Sequence, residues 1–255
     1  MVQHQDPSPL IGRTAVVTGA SSGLGRATAL ALARAGADVA LIARTDTALR
    51  DVADDIVAIG PRALPLPLDL ADAPALLGAV DRAVDAFGRI DILVNAAGTD
   101  VPGTAAELAI EDWDHMLAVN LRAPFVLAKA AFPRMRRAGS GTVVNVSSVA
   151  GKRGWANASA YCASKFGLTG LIQAQGAEGK PHGIRCCVLY PGGMATDWGA
   201  WSAAERESAR PAPPPPRRSL PPAEVAALIV WIATAPPELV LNEAVVSPLE
   251  EGGWP

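Results

Sequence analysis

Short apolar segments alternate with longer helical segments along most of this chain, and this alternation constrains the fold more than any other feature. The apolar segments are continuous runs of Val, Leu, Ile and Ala, as expected for strands covered on both faces of a parallel sheet. The sequence therefore predicts an α/β fold with helices on both faces of the sheet. We expect strands at residues 14–18, 38–43, 63–68, 91–94, 142–147, 184–190 and 240–246, and helices at 26–35, 47–59, 73–87, 111–137, 158–177 and 222–235.

Length and composition favour one large domain. The chain has 255 residues, half of them apolar, and no internal repeat or linker divides it. We expect a single domain over residues 1–255, with a polar tail at 1–12. Residues 197–222 form a long, Pro-rich stretch that carries Trp198 and Trp201. Loops of this length are usually functional, so we predict a mobile lid over the substrate.

Charge and cysteine usage argue against several classes of function. The net charge is −3 and there is no extended basic block, which argues against nucleic-acid binding. The longest apolar run, residues 225–235, is too short to span a membrane, and the N-terminus lacks the pattern of a secretory signal. Three scattered His and three Cys show neither metal-ligand spacing nor a disulfide framework. These features predict a cytoplasmic protein without a metal.

A glycine-rich stretch follows the first predicted strand. Its glycines suit a tight turn, a close approach of backbone to a pyrophosphate, and close packing of helix on strand. The N-terminus of the helix that follows favours anions. We predict a dinucleotide phosphate site; the alternative is a plain glycine-rich turn. The predicted site comprises Gly19, Ser21, Ser22, Gly23, Leu24 and Gly25.

Arg44 directly follows the second predicted strand, where dinucleotide folds commonly place an acidic residue for the ribose 2′-hydroxyl. No carboxylate stands at Ala43 or Arg44. Because a guanidinium binds phosphate through two hydrogen bonds, Arg44 favours the 2′-phosphate and predicts NADP(H) as the cofactor. The alternative is a solvated surface arginine.

Tyr161 and Lys165 stand four residues apart, so on a helix they share one face, one turn apart. Ser148 stands thirteen residues before Tyr161, just after the fifth predicted strand. A lysine cation near a phenol favours the phenolate and lowers its pKa. A hydroxyl, a phenol and an ammonium brought together predict acid–base chemistry on an oxygen; the alternative is an ordinary amphipathic helix.

The chain resembles the short-chain dehydrogenase/reductase family over about residues 11–247. The matching motifs are the glycine loop from Thr18 to Gly25, Asp69-Leu70, Asn95-Ala96-Ala97-Gly98, Asn120, the Ser148/Tyr161/Lys165 set, and the segment from Pro191 to Thr196. The resemblance implies a single Rossmann-like, doubly wound parallel β-sheet. It also implies further cofactor contacts by Asp69, Leu70, Asn95, Ala96, Gly98, Tyr161, Lys165, Pro191, Gly192, Met194 and Thr196.

The resemblance also implies catalytic roles. Tyr161 is expected to act as the general acid in carbonyl reduction and as the general base in alcohol oxidation. Lys165 is expected to lower the pKa of Tyr161 and to bind the nicotinamide ribose. Ser148 is expected to bind the substrate oxygen, with Ser147 as its nearest rival, and Asn120 is expected to hold a water that links Lys165 to solvent.

Other positions show departures from the family pattern or less specific signals. Ala96 replaces the family's usual second Asn, and Gly176 weakens the helix that follows Lys165, so we expect that helix to end early. Trp155, Trp198 and Trp201 flank the expected pocket and are predicted substrate contacts. Trp231 is expected in the core and His115 at the surface.

Three functions remain open from the sequence. The leading hypothesis is an NADP(H)-dependent reductase of a small, largely apolar ketone or aldehyde. The alternatives are an alcohol or 3-hydroxy acid dehydrogenase that works in the oxidative direction, and a catalytically idle NADP(H)-binding regulator. The resemblance further suggests a homodimer or homotetramer that uses the helices predicted at 111–137 and 158–177.

Overall fold

A single seven-stranded sheet organises the part of the chain that the computed structural model describes, residues 8–196 and 219–250. All its strand pairs are parallel, and the strand order is β3-β2-β1-β4-β5-β6-β7. The predicted Rossmann-like, doubly wound sheet is therefore confirmed. The strands are β1 Thr14–Thr18, β2 Asp38–Ala43, β3 Ala63–Pro67, β4 Ile92–Asn95, β5 Gly141–Val146, β6 Ile184–Pro191 and β7 Glu243–Val246.

Helices cover both faces of the sheet. One apolar cluster packs the first face against α1, α2 and α7, and a second packs the opposite face against α3, α5 and α6. Within β1, Ala15 and Val17 join the first cluster while Val16 joins the second, so every residue of the strand is buried. The helices are α1 Gly23–Arg34, α2 Asp46–Ile59, α3 Ala73–Phe87, α4 Ile110–Leu117, α5 Ala123–Ala138, α6 Ser159–Gly179 and α7 Pro222–Thr234.

Strand β3 lies at one edge of the sheet, as its two prolines predict. Pro65 pairs with Leu41 and Pro67 with Ala43 in register. Just beyond the strand, the Leu68 amide donates to the Ala43 carbonyl at 2.9 Å. The amides of even-numbered residues therefore point toward β2, and the two prolines occupy positions on the open side.

The long helical stretch predicted at 111–137 is irregular next to Pro124 but continuous through Pro133. A π-helical turn, Ala118–Arg122, separates α4 from α5, and Pro124 lies in the first turn of α5. Pro124 has no N–H to offer the carbonyl four residues earlier, that of Asn120. The predicted interruption therefore falls beside Asn120.

Two local expectations are wrong. Helix α6 does not end early at Gly176 but continues to Gly179, because its C-terminal part packs against β6, where Gly179 fits against Ile184. Trp231 is not a core residue, since 42% of its surface is exposed on α7.

No helix in the described parts of the chain combines the length and the apolar character needed to cross a bilayer. The same residues do not bring three or more His, Cys, Asp or Glu side chains together as a metal site requires.

Candidate active site

The order in which strands are added to the sheet changes direction between β1 and β4. The chain crosses outward from β1 through β2 to β3 and then returns to β4 on the other side of β1. In open α/β sheets, ligands bind in the crevice at the carboxyl ends of the strands at this switch point. The glycine loop follows β1 here and the Asn95-Ala96-Ala97-Gly98 segment follows β4.

A cavity of about 590 Å³ occupies this crevice. It brings together most of the residues that the sequence nominates. These are Gly19, Ser21, Ser22, Gly23, Leu24, Gly25, Arg44, Asp69, Leu70, Ala96, Gly98, Ser148, Tyr161, Lys165, Pro191, Gly192, Met194 and Thr196.

Close packing of the glycine loop explains its composition. Gly19 has a left-handed backbone (φ +68°), and a Cβ there would lie 2.9 Å from the Ala97 Cα. A Cβ on Gly25 would lie 2.1 Å from the Gly19 carbonyl oxygen. The Thr18 hydroxyl accepts a hydrogen bond from the Ala97 amide at 3.1 Å, which ties the loop to the β4 segment. The loop thus forms a cradle of backbone at a helix N-terminus, which fits a dinucleotide pyrophosphate.

Arg44 is exposed at the carboxyl end of β2, on the rim of this cavity. Among the described residues it has no ion-pair or hydrogen-bond partner. Arg26, by contrast, forms an ion pair with Asp55 at 2.7 Å. The guanidinium of Arg44 is therefore available for an anion at the rim.

Two predicted asparagines lie behind the cavity wall. The Asn95 amide donates to Asn145 Oδ1 at 2.7 Å, across the register pair of β4 and β5. Asn120 accepts from the Thr99 amide and donates to the Thr99 carbonyl, both at 2.8 Å, and also donates to the Ser164 hydroxyl at 3.1 Å. Both side chains hold the wall of the site.

Ser148, and not its neighbour Ser147, faces Tyr161. Ser148 caps a 3₁₀ turn, Val149–Gly151, where its hydroxyl accepts from the Ala150 amide at 3.2 Å, and it also hydrogen-bonds the Tyr161 phenol. The Ser147 hydroxyl instead donates to the Lys165 carbonyl at 3.2 Å. Ser148 is therefore the serine that meets the Tyr161 phenol, whereas Ser147 is bonded to the backbone of α6.

Burial raises the pKa of the Tyr161 phenol well above its usual range, and the hydrogen bond to Ser148 opposes this only in part. The net shift is therefore opposite to the fall expected from Lys165. The Lys165 ammonium lies 5.7 Å from the centroid of the Tyr161 ring, and the loss of solvation outweighs it. The phenol is therefore neutral at neutral pH.

Burial also acts on Lys165, whose pKa it lowers to about 8, while the nearby Asp100 charge acts in the opposite direction. The ammonium donates to the Val146 carbonyl at 3.0 Å. Lys165 therefore remains mainly charged at neutral pH, at one wall of the same cavity.

The sequence missed part of the cavity wall. Thr45 follows Arg44 in the chain and lines the cavity beside it. His115, expected at the surface, lines the cavity together with Val119. The four-residue spacing of His115 and Val119 is a signal that could have placed both on one helix face. Trp155 is 45% exposed and does not join the wall, whereas Trp198, Trp201 and most of the proposed lid lie outside the described residues. The lining residues not predicted are Ala43, Thr45, Leu68, Ala97, Thr99, His115, Val119, Val146, Ser147 and Gly193.

Known proteins resemble this chain in sequence and in fold. D-Threitol dehydrogenase of Mycolicibacterium smegmatis is 36% identical over 88% of this chain and 87% of its own length. The crystal structure of a metagenomic short-chain oxidoreductase in complex with NADP is 35% identical, has a TM-score of 0.82, and covers 94% of this chain and 99% of that one. A putative NAD(P)-dependent gluconate 5-dehydrogenase from Beutenbergia cavernae, with NADP bound at low occupancy, is also 35% identical (TM-score 0.83; 95% of this chain, 98% of that one).

The sequence profile of one family, described as short chain dehydrogenase, matches residues 13–207. This match covers the glycine loop, the asparagines and the Ser148, Tyr161 and Lys165 set in one continuous span. The chain therefore belongs to the short-chain dehydrogenase/reductase family of oxidoreductases.

Proposed function

We propose that this protein is an NADP(H)-dependent oxidoreductase that interconverts a ketone or aldehyde and an alcohol, with Tyr161 as the acid–base group. The observation that carries this proposal is the shared cavity. Its inner end holds the Ser148–Tyr161 hydrogen bond and the Lys165 ammonium, and its outer end holds the glycine loop and Arg44. When bound, the nicotinamide supplies or accepts the hydride.

Tyr161 can serve as the proton donor in reduction, which is the leading direction of the proposal. Its buried phenol carries a proton at neutral pH and can donate it to a carbonyl oxygen as that oxygen gains negative charge. The Ser148 hydroxyl, already held beside the phenol, orients the same oxygen. The Lys165 ammonium then stabilises the phenolate that proton donation leaves behind.

Asn120 is proposed to hold the water that returns the proton to this site. Its side-chain amide is occupied by Thr99 and Ser164, so we assign the water to its backbone carbonyl. Pro124, which lacks an N–H, cannot donate to that carbonyl.

Arg44 supports NADP(H) over NAD(H). It is the cation at the rim of the cavity beyond β2, and Arg26 is already paired with Asp55. Two related structures contain NADP, which agrees with this assignment. The predicted cofactor contacts of the glycine loop, Asp69, Leu70 and the segment from Pro191 to Thr196 all line the same cavity.

The second candidate function is oxidation of an alcohol. A relative at 36% identity is named D-threitol dehydrogenase, which favours a secondary alcohol or polyol as a substrate. The intact catalytic set argues against an idle cofactor-binding regulator, since binding alone has no need of a Tyr161 held between Ser148 and Lys165.

A second copy of the chain is the proposed partner. Phe125 on α5 and Phe166 on α6 are 49% and 46% exposed. Phe125 also lines a shallow groove with Leu117 of α4, Leu121 of the π-helical turn and Leu171 of α6. This supports a homodimer or homotetramer. Light scattering of the wild type and of Phe125→Glu tests it, and a monomeric wild type would contradict it. The cytoplasm stays the predicted compartment.

The test of function is a substrate panel. Purified protein is mixed with NADPH and a series of ketones and aldehydes, and separately with NADP⁺ and secondary alcohols and polyols, while cofactor absorbance is followed. We expect turnover in at least one arm, and NADH in parallel reactions tests the cofactor. If binding of NADPH is measurable but no compound is turned over, the regulator hypothesis is favoured instead.

A further inference from the structure

A second polar cluster lies directly behind the candidate catalytic residues, where β7 joins the sheet. Its members are Lys152, which follows the 3₁₀ turn after Ser148, Tyr190 on β6, and Glu243, the first residue of β7. Lys152 forms an ion pair with the Glu243 carboxylate, and its ammonium lies 4.4 Å from the centroid of the Tyr190 ring. Three separate elements therefore meet at Tyr190, which is fully buried.

Gly151 shows how tightly the Ser148 turn packs against its surroundings. A Cβ at this position would lie 2.5 Å from the Ser147 Oγ, 2.9 Å from the Lys165 carbonyl oxygen and 3.2 Å from the Tyr190 Cε1. The turn fits here only because residue 151 has no side chain. Its backbone therefore contacts both the Lys165 helix and the Tyr190 ring.

Hydrogen bonds connect the Tyr190 ring to the backbone of Lys165. The Tyr190 hydroxyl donates to the Thr169 Oγ1 at 3.2 Å, and the Thr169 hydroxyl donates to the Lys165 carbonyl, also at 3.2 Å. The Ser147 hydroxyl donates to the same carbonyl at the same distance. A continuous series of contacts thus runs from the ion pair through Tyr190 and Thr169 to the backbone of Lys165.

Both partners of the ion pair stay charged across the neutral range. The hydrogen bond from Lys152 holds the pKa of the Glu243 carboxyl below its usual value against the effect of burial. The same pair raises the pKa of Lys152. A cation over an aromatic ring is attracted to it. The ion pair with Glu243 keeps the Lys152 ammonium over the Tyr190 ring and so holds the Ser148 turn against that ring.

We propose that Lys152 and Glu243, joined across Tyr190, are positioning residues that hold Ser148 and Lys165 in place for the reaction at Tyr161. The inference rests on the proposed function. Exposed ion pairs usually contribute little to stability, but this pair joins the Ser148 turn to an edge strand. Its effect is therefore expected on the geometry of the site more than on the fold.

Lys152→Met and Glu243→Gln each remove one charge at similar volume, and the double variant removes both. Because a displacement of about 1 Å can cost ~10²-fold in rate, we expect each single variant to lower kcat about tenfold, with the KM for NADPH unchanged. The double variant should fall no further, since the two residues act as one unit, and Lys152→Arg should restore turnover. Arg50→Met, which breaks an exposed pair with Asp46 on α2, is the matched control and should leave kcat unchanged.

Two kinetic results would overturn the proposal. One is a kcat within about twofold of wild type in both single variants, and the other is losses that multiply in the double variant.

Hydrogen–deuterium exchange gives a readout that needs no turnover: amides of residues 148–153 should exchange about tenfold faster in Lys152→Met and Glu243→Gln, with α2 unchanged. Unchanged exchange at residues 148–153 overturns the inference whatever the activity. A wild type that turns over no compound would contradict the proposed function, and exchange would then decide this inference alone.

Discussion

The two halves of the candidate site are built from different materials. The half on β1 and β2, where the cofactor is proposed to bind, consists of backbone, glycines and the exposed Arg44. The half on β5, β6 and α6 consists of buried polar side chains, such as Tyr161 and Lys165, whose partners are other protein groups. An anion site needs free N–H groups and close approach, whereas proton transfer needs groups held in a water-poor setting. Substitutions of the glycines in the first half should therefore act by filling the space that the cofactor loop needs. Substitutions in the second half should act by removing charges and hydrogen bonds.

The largest expected effect lies in the buried half. Tyr161→Phe removes only the phenolic oxygen, so we expect turnover to fall ~10²- to 10⁴-fold while NADPH affinity stays near that of the wild type. Fluorescence titration of NADPH and steady-state kinetics on the same preparation separate the two quantities. Turnover within a few-fold of wild type would remove Tyr161 from the mechanism.

Gly25→Ala is the counterpart of Tyr161→Phe in the half of the site where the cofactor is proposed to bind. Its added Cβ has no room, at 2.1 Å from the Gly19 carbonyl, so cofactor binding should be lost together with turnover. If Gly25→Ala binds NADPH normally, the contrast between the two halves fails.

Lys165 tests what burial of a charge costs. Burial lowers its pKa from 10.5 to about 8, so between these pH values the unfolded chain binds more protons than the folded one, and wild-type stability rises with pH. The cost is fully present near pH 7 and amounts to ~3 kcal/mol at about 1.4 kcal/mol per pKa unit. The stability of Lys165→Met relative to wild type should therefore fall by that amount as the pH rises from 8 to 10.5.

Urea denaturation at several pH values measures this difference. Loss of the donor to the Val146 carbonyl is the same at every pH, so it shifts the curve without changing its slope. Lys129→Met, which removes an exposed lysine from α5, is the matched control. A stability difference that does not vary with pH would contradict the burial argument.

Arg44 provides the corresponding test of charge in the exposed half. A hydrogen bond to a charged group contributes on the order of 1.5–3 kcal/mol, which is about a ten- to hundred-fold preference. Arg44→Ala should weaken NADPH more than NADH by this factor, and Arg44→Asp should reverse the preference. The Michaelis constants at low, fixed salt measure it, with Arg50→Ala as the control. An unchanged ratio in Arg44→Ala would assign the 2′-phosphate elsewhere.

The smallest expected effect concerns a glycine in the buried half. Gly176 lies inside α6, where a Cβ would meet only the Cys186 Cβ at 3.7 Å, an ordinary contact. Gly176→Ala should stabilise the protein by roughly 0.5–1 kcal/mol, measured as a rise in Tm. A drop in Tm would show that this glycine is as constrained as Gly25.

Local signals predicted much of this molecule. The strands, the glycine-rich turn after β1 and the edge position of β3 follow from short-range patterns, and the structure agrees with each. The choice of Ser148 over Ser147 came from the spacing in the family motif and stays a prediction. The continuation of α6 past Gly176 did not follow, because packing against β6 overrides helix propensity there. The pKa of Tyr161 was expected to fall and instead rises, since burial depends on the whole fold and not on the spacing to Lys165.

The prolines of β3 have a consequence for how molecules of this protein meet in solution. An open sheet edge presents unpaired N–H donors that a strand from another molecule can use. Here the amides of Leu66 and Leu68 point inward to β2. Of the three outward positions of β3, Ala63 keeps its N–H, while Pro65 and Pro67 have none. An apolar edge segment thus offers an incoming strand only the Ala63 donor, and we expect it to resist aggregation in a way that valine at residues 65 and 67 would not.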